Sequence, residues 1–152
     1  MLSQLIAAKH DAGTGALEQM VLAEFCTGQF DQHVQELRGV LKRKCDVITE
    51  AVAMEFGISA EVTAPEGGIF IWITLPENVD TTKLAEAALV EGVALNPGSE
   101  WCADPEFGRH KLRLCFGNPS ISEIREGITK LADICRREFD VPERSGNVRR
   151  VD

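Results

Sequence analysis

Residues 65–76 read Pro65-Glu66-Gly67-Gly68-Ile69-Phe70-Ile71-Trp72-Ile73-Thr74-Leu75-Pro76. From Ile69 to Leu75 the run is apolar at nearly every position. Such a run predicts a β-strand covered on both faces. The Pro-Glu-Gly-Gly segment before it reads as a turn or bulge, and Pro76 ends it. Gly67 and Gly68 precede a strand and not a helix, so they offer no helix N-terminus to an anion. A helix over 69–75 would overturn the whole reading of the chain.

Upstream of this strand the period changes to that of a helix. Val34, Leu37, Leu41, Cys45, Ile48, Val52 and Phe56 recur at steps of three and four, placing them on one stripe. The spacing predicts a long helix over 31–57, with Asp31 as N-cap and Gly57 as the glycine at its end. Before it, Thr14 is positioned to cap a helix carrying Leu17, Met20, Val21 and Phe25, which Gly28 stops. Residues 1–9 read as a short helix. The chain opens in this helical pattern with no strand or cap before it, an opening expected of a fragment. Between the long helix and the strand, 60–64 is a short strand.

Downstream, Asp80 or Thr81 caps a helix over 83–91. Val93-Ala94-Leu95 is a short strand entering a tight turn at Pro97-Gly98. Residues 99–110 form a loop holding Trp101 and Phe107. Lys111-Leu112-Arg113-Leu114-Cys115-Phe116 alternates as a strand does, with Leu112 and Leu114 inward and Arg113 outward. Ser120 or Ser122 caps a last helix whose stripe includes Ile124, Ile128, Leu131 and Ile134. From Phe139 the tail is polar and expected to be disordered. The order defines an α/β (α+β) unit, a small mixed sheet with packed helices and one long helix.

Composition excludes several classes. A net charge of −8 argues against nucleic acid as the main partner, because phosphate binding needs a basic surface. No apolar run approaches the ~20 residues of a membrane span. The five cysteines are scattered and lack C-x-x-C spacing, which argues against a zinc site or a disulfide framework and for reduced thiols in the cytoplasm. Cys115 and Cys135 read as small core residues, and Trp72 and Trp101 as packing residues. His10, His33 and His110 show no triad or metal pattern, and are expected on the surface or in loops.

These pieces occur in a fixed order that resembles class I/II aminotransferases of fold type I, which depend on pyridoxal 5′-phosphate. Pro65 to Trp72 with Leu75-Pro76 resembles that family's P-x-G-G-x-F-x-W…L-P strand. Asp80, Leu84, Ala88 and Gly92-Val93 resemble its D…L…A…G-V segment. Pro97-Gly98-Ser99 resembles its P-G-S turn, and Leu112 to Phe116 its L-R-L-x-F strand. Ile124, Gly127-Ile128 and Leu131 resemble the closing helix. Gly28, Phe30, Asp31, His33 and Arg38 resemble the G-x-F-D-x-H…R stretch that opens the family's long interdomain helix. The resemblance spans roughly residues 5–138, and looks most like 2-aminoadipate and kynurenine-type aminotransferases and the related domain of certain bacterial transcription regulators.

The resemblance implies three parts. Residues 1–30 would be a remnant of the interdomain and large-domain helices, 31–138 the small domain, and 139–152 the polar tail. It gives Arg113 the role of holding the substrate α-carboxylate. Arginine suits that task because its planar fork makes two parallel charge-assisted bonds. The implied partners are an amino acid and a 2-oxo acid, with no nucleic acid and no membrane; the family is homodimeric. The family's Schiff-base lysine, and the aspartate facing the pyridine nitrogen, belong to an upstream domain. Lys9, Lys42, Lys44, Lys83, Lys111 and Lys130 all lack the required S-x-x-S-K-like setting, so no cofactor is expected on this chain alone. The rival readings are a ligand-sensing domain of a transcription regulator and an inactive fragment.

Overall fold

The computed structural model describes residues 13–63 and 65–142. The chain divides into two compact units, the first ending at Arg38 and the second beginning at Gly39. The predicted helix over 1–9 lies outside the described residues.

The first unit holds helix α1, Ala16–Gly28, and the start of α2, Phe30–Phe56. Thr14 does not cap α1. Gly15 occupies the N-cap without a side-chain bond, while the Thr14 carbonyl accepts from Gln19 Nε2 at 2.8 Å. A glycine there leaves the first-turn N–H groups to solvent or to other partners. α1 buries none of its residues. Asp31 lies in the first turn of α2 rather than before it, where its charge still opposes the helix dipole. The ring of Phe25 meets that of His33 edge-on at 5.4 Å.

α2 runs for 27 residues, about 40 Å at the usual rise. Its predicted stripe is buried only in the second unit. Leu37 is 44% exposed, whereas Ile48, Val52 and Phe56 are at most 3% exposed. Gly57 ends the helix with φ of +55°, a conformation that costs a side chain but not a glycine.

The second unit is built on a four-stranded sheet in the order β1-β2-β4-β3. Its strands are β1 (Glu61–Thr63), β2 (Phe70–Thr74), β3 (Asn96–Pro97) and β4 (Lys111–Cys115). The fold class is as expected, but all described pairs are antiparallel, so the sheet is not mixed. β3 begins at Asn96, not at Val93, and Pro97 lies within it rather than in a turn. The expected loop 99–110 contains structure of its own: a 3₁₀ turn at Gly98–Glu100 and the short helix α4, Pro105–Gly108, capped by Asp104. Pro105 in its first turn brings a φ already suited to a helix.

Helix α3 (Thr81–Val90) starts where Asp80 accepts from the N–H groups of Thr82 and Lys83. Helix α5 (Ile121–Phe139) starts at Ser120 in a reciprocal capping box with Glu123. The core lies on one face of the sheet, where Ile71, Ile73, Leu112 and Leu114 meet Val52, Phe56, Leu84, Ile128, Leu131 and Ile134. β2 is therefore covered on one face only, contrary to the reading of its apolar run; Phe70 is 38% exposed. Cys135 is buried as expected, but Cys115 is exposed, because it shares the strand parity of Arg113 and not of Leu114. Phe139 closes α5 and Val141 is buried, its N–H bonded to the Cys135 carbonyl. Residues 139–141 thus belong to the folded unit rather than to a polar tail, and residues 143–152 lie outside the described residues.

Candidate functional site

Strand pairing decides which side chains surround Arg113. In the central strand β4, Arg113 stands opposite Trp72 of β2 and Asn96 of β3. Phe70, two residues from Trp72, is its diagonal neighbour on the same face. Leu112 and Leu114 turn to the core, so Arg113 projects from the open face.

Its guanidinium lies against two aromatic rings. The Cζ atom is 3.4 Å from the ring centroid of Trp101 and 4.0 Å from that of Phe70. Both rings thus lie in contact with the guanidinium. Nη2 donates to Asn96 Oδ1 at 3.3 Å. Nε is buried without a hydrogen-bond partner among the described residues. Among the described residues no carboxylate pairs with Arg113. Glu126, on the final helix, pairs with Lys130 at 2.7 Å. The charge is therefore held by π-faces and one amide oxygen, an arrangement that leaves it able to take an external anion.

The loop bearing Trp101 is held by backbone. A Cβ on Gly98 would meet the carbonyl oxygens of Gly108 and Lys111 at 2.5 and 2.6 Å. Glycine is thus required where the 3₁₀ turn crosses the end of α4. Next to it, Lys111 Nζ donates to the Phe107 carbonyl at 3.0 Å and lies 3.8 Å from the Phe107 ring centroid. A groove of about 440 Å³ elsewhere in this unit runs between Val93, Leu114, Glu123 and Lys130, and Arg113 does not line it.

Asn96 and Phe70 were not singled out from sequence, and Trp101 was read only as packing. The signal available was parity for Phe70, which shares a face with Trp72. For Asn96 the misplaced strand start hid its register with Arg113. His33 is exposed and His110 half-buried; the His110 carbonyl accepts from Leu75 N–H at 2.9 Å. His10 lies outside the described residues. No cluster of metal-binding side chains occurs among the described residues, and none of the described helices is long and apolar enough to cross a membrane.

Pyridoxal phosphate would need an amine able to form an imine, with a carboxylate for its ring nitrogen. The described lysines do not fit that need. Lys42 is paired with Asp46 and Lys130 with Glu126 on helix surfaces. Lys44 and Lys111 donate to the carbonyls of Gly117 and Phe107, and Lys83 is exposed on α3. Lys9 lies outside the described residues.

The second unit is thus an α+β layer, a small antiparallel sheet with helices on one face and an arginine presented on the other. Residues 3–131 match the family model for aminotransferase class I and II, and the chain belongs to that family. An uncharacterised aminotransferase of Saccharolobus solfataricus is 38% identical over 130 residues, covering 85% of this chain and 32% of that protein. The crystal structure of LysN, the α-aminoadipate aminotransferase of Thermus thermophilus, complexed with N-(5′-phosphopyridoxyl)-L-leucine, matches with a TM-score of 0.75. Identity to it is 30%, over 90% of this chain and 35% of that one. An uncharacterised HTH-type transcriptional regulator of Bacillus subtilis is 31% identical over 83% of this chain and 26% of that protein. The chain spans about a third of the length of the aminotransferase relatives it matches.

Proposed function

We propose that this chain is the small-domain part of a pyridoxal-phosphate-dependent aminotransferase that moves an amino group between an amino acid and a 2-oxo acid. In this reading residues 31–138 form the small domain, and residues 1–30 belong with the interdomain helices. The protein works in the cytoplasm, in keeping with five free cysteines, and as a homodimer. The observation that carries the reading is Arg113: a guanidinium on the open face, in contact with two rings and without a carboxylate partner among the described residues.

Arg113 would grip the substrate α-carboxylate through two parallel charge-assisted bonds, which fixes the orientation of Cα as well as its position. Donor and acceptor share that carboxylate, so one arginine serves both halves of the transfer. The cofactor would be held by residues other than those described, and no step is assigned to it.

The test is a chimera in which residues 31–138 replace the matching segment of the Thermus thermophilus 2-aminoadipate transaminase, a relative 31% identical over 86% of this chain. Transamination should be retained. Arg113→Lys should lower kcat/KM by roughly one to two orders of magnitude, equivalent to about 1.5–3 kcal/mol for one lost charge-assisted bond. The cofactor absorbance should remain, and amines lacking a carboxylate should be little affected. An unchanged kcat/KM for amino acids would refute the role.

The regulator relative supports a second reading, a ligand-sensing domain in which the same arginine grips an amino acid without turnover. A helix-turn-helix encoded upstream of Met1 would favour the regulator.

A further inference from the structure

Arg113 is more constrained than a carboxylate grip alone requires. The Trp101 and Phe70 rings contact the guanidinium, with Cζ 3.4 and 4.0 Å from their centroids. Nη2 donates to Asn96 Oδ1 at 3.3 Å, a bond that rotation about Cζ–Nε would break. Nε is buried, with no acceptor among the described residues to satisfy it. A buried N–H without a partner is rare in folded proteins and calls for a physical reason. The reason we infer is the aromatic contact: rings within 4.0 Å of Cζ hold the guanidinium and exclude solvent from its Nε side. The ring faces return part of the lost hydration through cation–π attraction.

Carboxylates bind arginine in two ways, side-on through Nε and one Nη, or end-on through both Nη atoms. With Nε sealed, only the end-on edge remains. We propose that Trp101, Phe70 and Asn96 are positioning residues that lock Arg113 flat and present only its Nη1–Nη2 edge, so that a carboxylate is held end-on. This deepens the preceding reading and rests on it. Trp101 can do this because its N–H donates to the Gly98 carbonyl at 3.0 Å and Gly98 packs closely against the backbone of Gly108. A ring on a free loop would not hold a plane.

The experiment is NMR on this chain, labelled with ¹⁵N-arginine, first without ligand and then with sodium propionate. Without ligand, the Arg113 Nε–H should exchange with solvent more slowly than that of exposed Arg43, and rotation about its Cζ–Nε bond should be slower. Trp101→Leu should abolish both differences, Trp101→Phe should largely keep them, and Asn96→Ala should speed rotation without exposing Nε. With propionate, the Nη signals of Arg113 should move while Nε stays. Trp101→Leu should weaken binding roughly two- to fivefold, the size of one exposed cation–π contact.

An Arg113 as mobile as Arg43 would overturn the lock while leaving the carboxylate role to the chimera assay. A propionate shift centred on Nε would overturn the end-on geometry. A locked Arg113 with no propionate response would sink both the grip and the proposed purpose of the lock. Should Trp101→Leu fail to fold, Trp101→Phe and Asn96→Ala still decide the matter.

Discussion

Strand parity separates the side chains of β4 into two chemistries. Leu112 is fully buried and Cys115 exposed, three residues apart on one strand. The sequence showed the outward turn of Arg113 because leucines flank it, but it misled for Cys115, where hydrophobic character outweighed position. The contrast with Cys135 is testable. Burial pushes the Cys135 thiol up to about 12, so almost no thiolate forms at neutral pH. A maleimide or a disulfide reagent should label Cys26 and Cys115 in the native chain and reach Cys135 only after denaturation, as peptide mass mapping would show. Rapid native labelling of Cys135 would contradict its burial on the core-facing side of α5. What could not be read at this scale was the setting of Arg113. Aromatic contacts from residues 70 and 101 depend on pairing register and on a loop conformation, and no local pattern specifies either.

Among the elements, the helices were the most legible and their ends the most informative. Asp80 and Ser120 are caps because a short side-chain oxygen reaches the free N–H groups of the first turn. Ser120→Ala should destabilise the fold by about 1 kcal/mol, measurable by urea denaturation. The box also has a pH signature. The Ser120 hydroxyl and then its backbone N–H, both bonded to Glu123, hold that carboxyl below its ordinary value. A lowered pKa contributes stability above the unfolded value, near ~4.3, and loses it as pH falls through the folded value. Glu123→Gln should therefore flatten the loss of thermal stability on acidification below about pH 4.5. Thr14 failed as a cap because Gly15 took its place, and β3 was set too early because Val-Ala-Leu at 93–95 has more strand character than Asn-Pro. Backbone pairing, not side-chain preference, decides a two-residue strand. The crossing at Gly98 is similarly invisible to pattern: Gly98→Ala should cost about 1–3 kcal/mol through overpacking against carbonyl oxygens. A thermal melt of that variant matching the parent would deny the close approach.

At the scale of the whole molecule, the buried core runs from Ile48 to Val141 and lies entirely in the second unit. The long helical stripe and the strand at 69–75 made this unit readable, since both place apolar side chains at the periods of their elements. What the stripe did not reveal is that its first half joins no core among the described residues: Leu37 is 44% exposed, and in α1 Leu17, Met20 and Val21 are each at least 63% exposed. Limited proteolysis should therefore cut first between Ala16 and Arg38 and leave a resistant fragment beginning near Gly39, identified by mass spectrometry. Equal resistance of both units would argue against the division.

The sheet has a further consequence for how such a chain can change. One face is dry and the other carries the arginine, and neighbouring positions on β4 alternate between them. Inserting or deleting a single residue within this strand would exchange the two faces, sending a guanidinium into the hydrocarbon interior and a leucine to the open face. Substitution can tune either face by itself, but length variation cannot. Sequence drift in this strand is thus confined to replacements, while insertions and deletions must accumulate in the connecting segments.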